Sequence, residues 1–377
     1  MAGKPLPENT GPEPLVQSVA DIKKAADKKL SKTAREFYNS GATNETTVHD
    51  NTRAYAKYRL LPRVLVDVSR CDPRTRLWDS PLAFPLCISP AGIQAMAHPA
   101  GELATSRACA RRGIAMAVSS FANHSVEDVR RAAPSVPHAM QLYTMRDRAL
   151  QERVVRRAEA AGCKALFLTA DSPVVGVRYC EARNGFRTPE GLGFPNVELA
   201  SEEIRAVDHE GAVNAWMSDA HSWAREIPWL RARTAMEIWI KGVLAPEDVV
   251  LAREYGCDGV IVSNHGGRQL DGTPATIDAL PACVEAAQGK IKVHIDGGIR
   301  SGAEIFKALA LGAECCWVGR PALWGLAYDG EVGVDKVLDI LYQEFKHCMQ
   351  LTGCSTISDI SKASLAIVRA DGPLARL

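Results

Sequence analysis

Cys257–Gly272 reads CDGVIVSNHGGRQLDG, and the first half of that stretch sets the architecture. The run Gly259-Val260-Ile261-Val262 is short, β-branched and uncharged, and it gives way at once to Ser263-Asn264-His265-Gly266-Gly267-Arg268. A brief apolar run without alternation, stopped by a glycine-rich turn, reads as a buried parallel strand ending in a tight loop. His265 has little side-chain bulk beside it, so a ligand can approach its imidazole closely, and Arg268 adds a fixed positive charge. That grouping suits removal of a proton from an anionic substrate. A histidine next to glycines is more often an ordinary loop residue, so the rest of the chain has to decide.

The same kind of unit recurs from Pro81 onward: an apolar strand, a polar or glycine-bearing loop, then an amphipathic helix. Strands are expected at Phe84–Ser89, Ile114–Ser119, His138–Leu142, Ala165–Thr169, Glu237–Lys241, Gly259–Ser263, Lys292–Asp296 and Cys315–Gly319. Helix signals fall between them. Leu150, Val154, Ala158 and Ala161 share one face, Pro246 suits a first turn, and Gly256 and Gly312 suit helix ends. Eight such units predict an α/β fold, a closed (β/α)8 TIM barrel, with the chemistry at the C-terminal ends of the strands. An open doubly wound sheet would want a glycine-rich first turn, and Gly92 is not part of a GxGxxG.

Around this barrel the expected organisation is a disordered, proline-rich leader at residues 1–18, a helical extension at 19–80 packing over the barrel, and the barrel itself at 81–377. Helices are expected at Val19–Leu30 and Lys32–Ser40. The connection after strand four, residues 171–236, is oversized and reads as a structureless lid loop, with Gly185–Glu198 its most mobile part.

Composition excludes several classes. In 377 residues, 45 Lys+Arg stand against 44 Asp+Glu, which gives no electrostatic case for nucleic acid or an acidic membrane as partner. No run reaches the roughly 18 apolar residues of a membrane span. The 11 cysteines are scattered without a CxxC pair, which points to buried thiols and to no metal site. Ala375-Arg376-Leu377 has the small–basic–Leu form of a peroxisomal C-terminal address; without it the expectation is cytoplasmic.

The strand ends carry a coherent set of side chains. Strand one ends in Ser89-Pro90-Ala91-Gly92, small residues that let a flat ring approach backbone; strand two ends in Ser119-Ser120-Phe121. Strands three and four offer Gln141, Tyr143, Thr169 and Asp171. Lys241 ends strand five and is an odd residue to bury unless it meets an anion. Asp296-Gly297-Gly298-Ile299-Arg300 and Gly319-Arg320 follow strands seven and eight, where barrels of this type often bind phosphate. Asp171 is placed to reach the far side of His265, Tyr143 to offer a hydroxyl, and Arg178 with Arg268 to grip a carboxylate. His294 alternates with Asp296 and is expected to pack inside the barrel.

These motifs resemble the FMN-dependent 2-hydroxy acid oxidases and dehydrogenases, the glycolate oxidase group. The matching runs are SPAGIQAMAHPAGE (89–102), QLY (141–143), LTADSP (168–173), IKG (240–242), SNHGGRQLDG (263–272), DGGIRSG (296–302) and VGRP (318–321), in that order. The resemblance implies FMN across the barrel mouth, its ring against Pro90, Ala91, Gly92, Ser119, Gln141 and Thr169. Lys241 would face the ring edge where negative charge gathers, with Ser263 near the ring. Asp296 would meet the ribityl chain, and Gly298, Arg300, Gly319 and Arg320 the phosphate. It further implies His265 as base, Asp171 as its partner, Tyr143 as hydroxyl ligand and the two arginines as carboxylate clamp. The implied reaction converts an (S)-2-hydroxy acid to the 2-oxo acid, with O2 as acceptor and hydrogen peroxide as product, in a homo-oligomer, by resemblance a tetramer. Two positions depart from the pattern: Phe37 stands where the group usually has a carboxylate-binding tyrosine, and Phe121 where it often has a tryptophan. Both predict a roomier, less polar pocket for a substrate bulkier than glycolate.

Three alternatives stay open. One keeps the site and passes electrons to another acceptor, as a dehydrogenase; the lack of a haem-binding stretch ahead of the barrel and of an apolar anchor in the long connection favours the oxidase. Another is a flavin-free, phosphate-binding barrel lyase or isomerase, which leaves Lys241 and SNHGGRQLDG without a joint role. The third is a non-catalytic binding protein, against which the intact His265, Asp171, Tyr143 and arginine set argues.

Overall fold

The computed structural model describes residues 16–199, 209–368 and 374–376. The expected leader lies outside the described residues up to position 15, and Ser18 at its far end already caps the first helix.

Eight parallel strands close into a barrel. In chain order they are β1 (Leu86–Ile88), β2 (Met116–Val118), β3 (His138–Leu142), β4 (Ala165–Thr169), β5 (Glu237–Val243), β6 (Gly259–Val262), β7 (Lys292–Asp296) and β8 (Cys315–Val318), with β8 paired back to β1. The third, fourth and seventh fall on their expected limits, and the others shift only at their ends. β5 runs on past Lys241 because Gly242, at φ 107°, makes a bulge in its pairing with β6.

Period-two alternation sorts the barrel interior. Phe167, Trp239 and Trp317 fill its middle with Ala115, Ala117, Ala139 and Ala165 beside them, the large–small mix that the taper of a small barrel calls for. Gly259 makes that possible, since a Cβ there would lie 2.3 Å from the Trp239 ring. His294 packs in this layer as expected, its ring 4.3 Å from Trp239 and its Nδ1 accepting from Trp317 Nε1 at 3.0 Å. The layer is joined by Trp78, which sits with Asp79 in the left-handed two-residue turn of a hairpin, Thr75–Leu77 with Ser80–Leu82.

Among the described residues three α-helices precede the barrel: α1 (Val19–Lys29), α2 (Lys32–Asn39) and α3 (Thr46–Arg53). α1 opens with a Ser18–Asp21 capping box and buries Val19, Ile22 and Ala26, packing along the long C-terminal helical run Arg320–Thr352. α2 and α3 lie over the C-terminal rim of the barrel, where their residues meet the loops after β6, β7 and β8.

The connection from 171 to 236 corrects the expectation of a structureless loop. Among its described residues it carries helices at Tyr179–Asn184, His209–Trp216 and Trp223–Arg231, and a 3-10 turn at Pro195–Val197. Its glycine- and proline-rich part is pinned by Phe186, Phe194, Asn196 and Val197, all buried. Asn196 accepts from Val126 N at 2.8 Å and donates to the Ser119 carbonyl at 3.3 Å, so this segment braces the loop after β2. The 11 cysteines are free thiols and most are buried, as expected. Of the C-terminal tripeptide, Ala375 and Arg376 lie in a strand, Leu374–Arg376, paired with Leu365–Val368; Leu377 lies outside the described residues.

Candidate active site

A cavity opens at the C-terminal rim, where the interior alternation turns from aromatic to polar. It is lined by Pro90, Ala91, Gly92, Ser119, Gln141, Thr169, Lys241, Asp296, Gly298, Arg300, Gly319 and Arg320, and also by His265, Tyr143, Arg178, Arg268, Phe37 and Phe121. Two expected site residues stand one layer behind. Ser263 is fully buried under Lys241, and Asp171 is half-buried behind His265.

The polar ring is cross-linked. Lys241, 4% exposed, donates from Nζ to Ser263 Oγ at 3.0 Å and pairs with Asp296 Oδ2 at 3.1 Å. Gln141 Nε2 donates to Thr169 Oγ1 at 3.0 Å while its Oε1 accepts from Ser120 N at 2.9 Å. Glu102, whose carboxyl burial pushes up to about 7, accepts from Gln94 N and Asn123 N and so ties the loops after β1 and β2 together.

His265 Nδ1 lies 3.0 Å from Asp171 Oδ1, and His265 N donates to Ser263 Oγ at 3.1 Å. This leaves Nε2 as the imidazole atom free to act, with Asp171 holding the tautomer. Burial lowers the His265 pKa; Asp171 opposes this, and nearby Lys241 and Arg178 add to the lowering, so the ring is neutral at neutral pH. Burial pulls the Asp171 carboxyl upward, yet the His265 ring and the Ser172 hydroxyl outweigh it and hold the carboxyl below its ordinary value. Gly242 is what lets Asp171 occupy this spot, because a Cβ there would sit 2.5 Å from Asp171 Cβ. Burial raises the Tyr143 phenol well above its ordinary value, so it remains a hydroxyl donor.

Arg178 and Arg268 do come together. Arg268 donates from Nη1 to the Phe37 carbonyl at 2.6 Å and from Nη2 to Glu181 at 2.9 Å; Arg178 reaches the same Glu181 at 3.4 Å. Glu181 is a partner that the linear sequence does not reveal: it lies in a short helix without an apolar stripe, 87 residues from Arg268. Phe37 contributes a ring instead of a hydroxyl, 4.8 Å below the Arg268 guanidinium and stacked on Phe186 at 4.3 Å. Phe121 sits among Tyr143, Phe194 and Trp216, and Val175, Val213 and Met217 complete an apolar wall that sequence reading missed.

The residues present fit FMN. Asp296 Oδ1 is buried with no hydrogen-bond partner, an acceptor in want of a hydroxyl donor such as the ribityl chain carries. Arg300 and Arg320 are half-buried, and burial pushes them down to about 10 and about 9 respectively, with Arg268 and Arg300 adding to the lowering at Arg320. Arg320 donates to the carbonyls of Tyr38, Gly266 and Ser40, which are neutral partners, so its charge suits an anion in the cavity. A Cβ at Gly319 would meet only Ser89 Cβ, at 3.9 Å, and Gly298 is left-handed at φ 83°.

Comparison with known proteins agrees with this geometry. Residues 26–367 match the family described as FMN-dependent dehydrogenase. The chain is 44% identical over 371 residues to Oxidase FUB9 of Fusarium oxysporum f. sp. lycopersici, covering 98% of this chain and 96% of that protein. It is 41% identical over 356 residues to 2-Hydroxyacid oxidase 1 of Homo sapiens, covering 93% and 96%. A solved structure of mandelate oxidase with (S)-4-hydroxymandelic acid superposes with a TM-score of 0.86 at 33% identity, covering 93% and 98%. The chain belongs to the FMN-dependent 2-hydroxy acid oxidase family. It is an FMN-dependent oxidoreductase acting on the CH–OH group of hydroxy acids.

Proposed function

We propose that this enzyme oxidises an (S)-2-hydroxy acid with an apolar side chain larger than that of glycolate, and that molecular oxygen takes up the electrons. The overall change balances as 2-hydroxy acid plus O2 giving 2-oxo acid plus hydrogen peroxide. Bound FMN supplies the two-electron acceptor that no side chain offers. Arg178 and Arg268 bind the substrate carboxylate, Tyr143 donates to its oxygen, and neutral His265 takes the proton, the resulting imidazolium being stabilised by Asp171. The observation that carries this reading is the His265–Asp171 pair beside the buried Lys241–Asp296 pair, with both arginine forks on the same cavity.

The size of the substrate is argued from Phe37, Phe121, Val175, Val213 and Met217, which surround the clamp with apolar surface and give no partner to a second polar group. Anaerobic mixing of the holoenzyme with 2-hydroxy acids of increasing side chain, followed by air, tests both parts. The flavin absorbance is expected to bleach about 10-fold or more faster with branched or aromatic substrates than with glycolate. It should then recover rapidly in air with peroxide released. Glycolate as the best substrate would overturn the size argument, and slow recovery in air would make the enzyme a dehydrogenase.

We also propose a peroxisomal location and a homo-oligomer. A fluorescent protein fused to the N-terminus is expected to be punctate with the full chain, and diffuse once residues 375–377 are deleted. An unchanged pattern would refute the address.

A further inference from the structure

Asp271 closes the stretch that defines the sixth strand and its loop, yet the reaction above assigns it no role. Its contacts run to the extension. α3 begins after Glu45, which is left-handed at φ 62° and makes no side-chain cap; its carboxylate accepts from Gly41 N at 3.2 Å instead. The unpaired N–H groups at the start of α3 are met from 224 residues away. Asp271 Oδ1 accepts from Thr47 N at 2.9 Å, and Oδ2 accepts from Asn44 N at 3.1 Å and from the Thr43 hydroxyl at 3.0 Å. Gly272 N in turn donates to Thr47 Oγ1 at 2.9 Å.

The helix so held bears on the base. Asn51 and Asn264 exchange two amide hydrogen bonds of 2.8 Å, and Asn264 Oδ1 also accepts from Gly267 N at 3.2 Å within the turn that presents His265. Val48 fills the space over Gly267, where a Cβ would lie 2.7 Å from Val48 Cγ2 and 2.8 Å from its backbone N. Beneath this contact three consecutive residues are left-handed: His265 at φ 56°, Gly266 at 63° and Gly267 at 75°. A histidine leaves the left-handed region readily unless its surroundings over-determine it.

We propose that Asp271 is a positioning residue for the catalytic base. By capping α3 from the far side of the loop, it keeps Val48 and Asn51 pressed on Asn264 and Gly267, and so holds His265 against Asp171. The proposal rests on the reading of His265 as base.

The test is stopped-flow, anaerobic flavin reduction in FMN-loaded wild type, D271A, D271N and H265Q across substrate concentrations. D271A is expected to lower the limiting reduction rate by about 30-fold, and to leave the substrate dissociation constant within about 3-fold. D271N keeps one acceptor oxygen and should recover to within about 5-fold of wild type. Should D271A not fold, a D271N limiting rate about 3- to 5-fold below wild type supports the positioning role, and one equal to wild type overturns it. A cap that merely stabilises α3 would lower the melting temperature of both variants and leave the limiting rate at the wild-type value; that result overturns the proposal. An unimpaired H265Q would instead remove the base assignment itself, whereas inactive H265Q alongside unimpaired Asp271 variants would sink the positioning role alone.

Discussion

His265→Gln is expected to lower the limiting rate of flavin reduction by about 10³- to 10⁴-fold, with FMN still bound and the substrate dissociation constant little changed. Glutamine fills a similar volume and can keep a contact with Asp171, but it cannot take up a proton. The two arginines proposed to bind the carboxylate, Arg178 and Arg268 on Glu181, are untouched by the change. Because the folded-state pKa of His265 lies below its ordinary 6.5, the base is competent at neutral pH. The rate at low substrate should fall only as pH drops beneath that ordinary value, along an acid limb that the variant lacks. The same shift links to stability. The unfolded chain takes the proton at about 6.5, the folded chain resists it, and the contribution to folding is therefore lost progressively as pH falls below that value. Asp171→Asn removes the group that raises the His265 pKa, so its acid limb should move lower still. A limb unchanged in H265Q would show that another group is titrating.

Gly298→Ala is expected to abolish stable FMN binding and to destabilise the fold by about 3 kcal/mol or more. A Cβ at this position would lie 1.9 Å from the Asn51 carbonyl oxygen and 2.9 Å from the Tyr55 ring. The first of these atoms is backbone and cannot swing away, so α3 must lift or the loop after β7 must shift. The left-handed φ of 83° alone costs roughly 1–2 kcal/mol for a residue with a Cβ. Gly272→Ala is the control, since Gly272 is left-handed at φ 82° with nothing within 4 Å of the added carbon. It should show the conformational cost without the clash, and keep its flavin. Thermal melts with and without added FMN, and the flavin absorbance of the purified proteins, measure both effects. Equal behaviour of the two variants would show that the contact with Asn51 is not what shapes the loop.

The two outcomes together separate chemistry from scaffold. His265 acts at the cavity, whereas Gly298 acts by letting α3 close over it. α3 meets the loop after β7 at Gly298 and the loop after β6 at Gly267, so one short helix touches both. That helix has little apolar face of its own and buries Thr47 and Asn51, which is why its place depends on Asp271 and the two asparagine amides.

Much of the architecture was legible in the linear chain for a local reason. Each strand is a short uninterrupted apolar run stopped by a glycine or a polar residue, and alternation alone puts Ser89, Gln141, Thr169, Lys241 and Asp296 on the inner face at the rim. The candidate base, its acidic partner and both arginines were likewise visible, because polar residues at the ends of buried runs have to be there for something other than packing. What escaped depends on separations that no window covers. Glu181 meets Arg268 across 87 residues, Asp271 caps a helix across 224, and Asn51 pairs with Asn264 across 213. Val213 and Met217 join the cavity wall only because the connection after β4 folds back in helices, which the weak amphipathic signal of Tyr179–Asn184 and the glycine-rich stretch after it concealed. The sequence by itself determined the barrel and the identity of its rim residues, since periodicity and strand termination are local properties of the backbone. Only the tertiary structure decided which side chain pairs with Arg178 and Arg268 and which residues pack on the left-handed turn at His265, because those partners are chosen by the closure of the barrel and the return of the extension across its mouth.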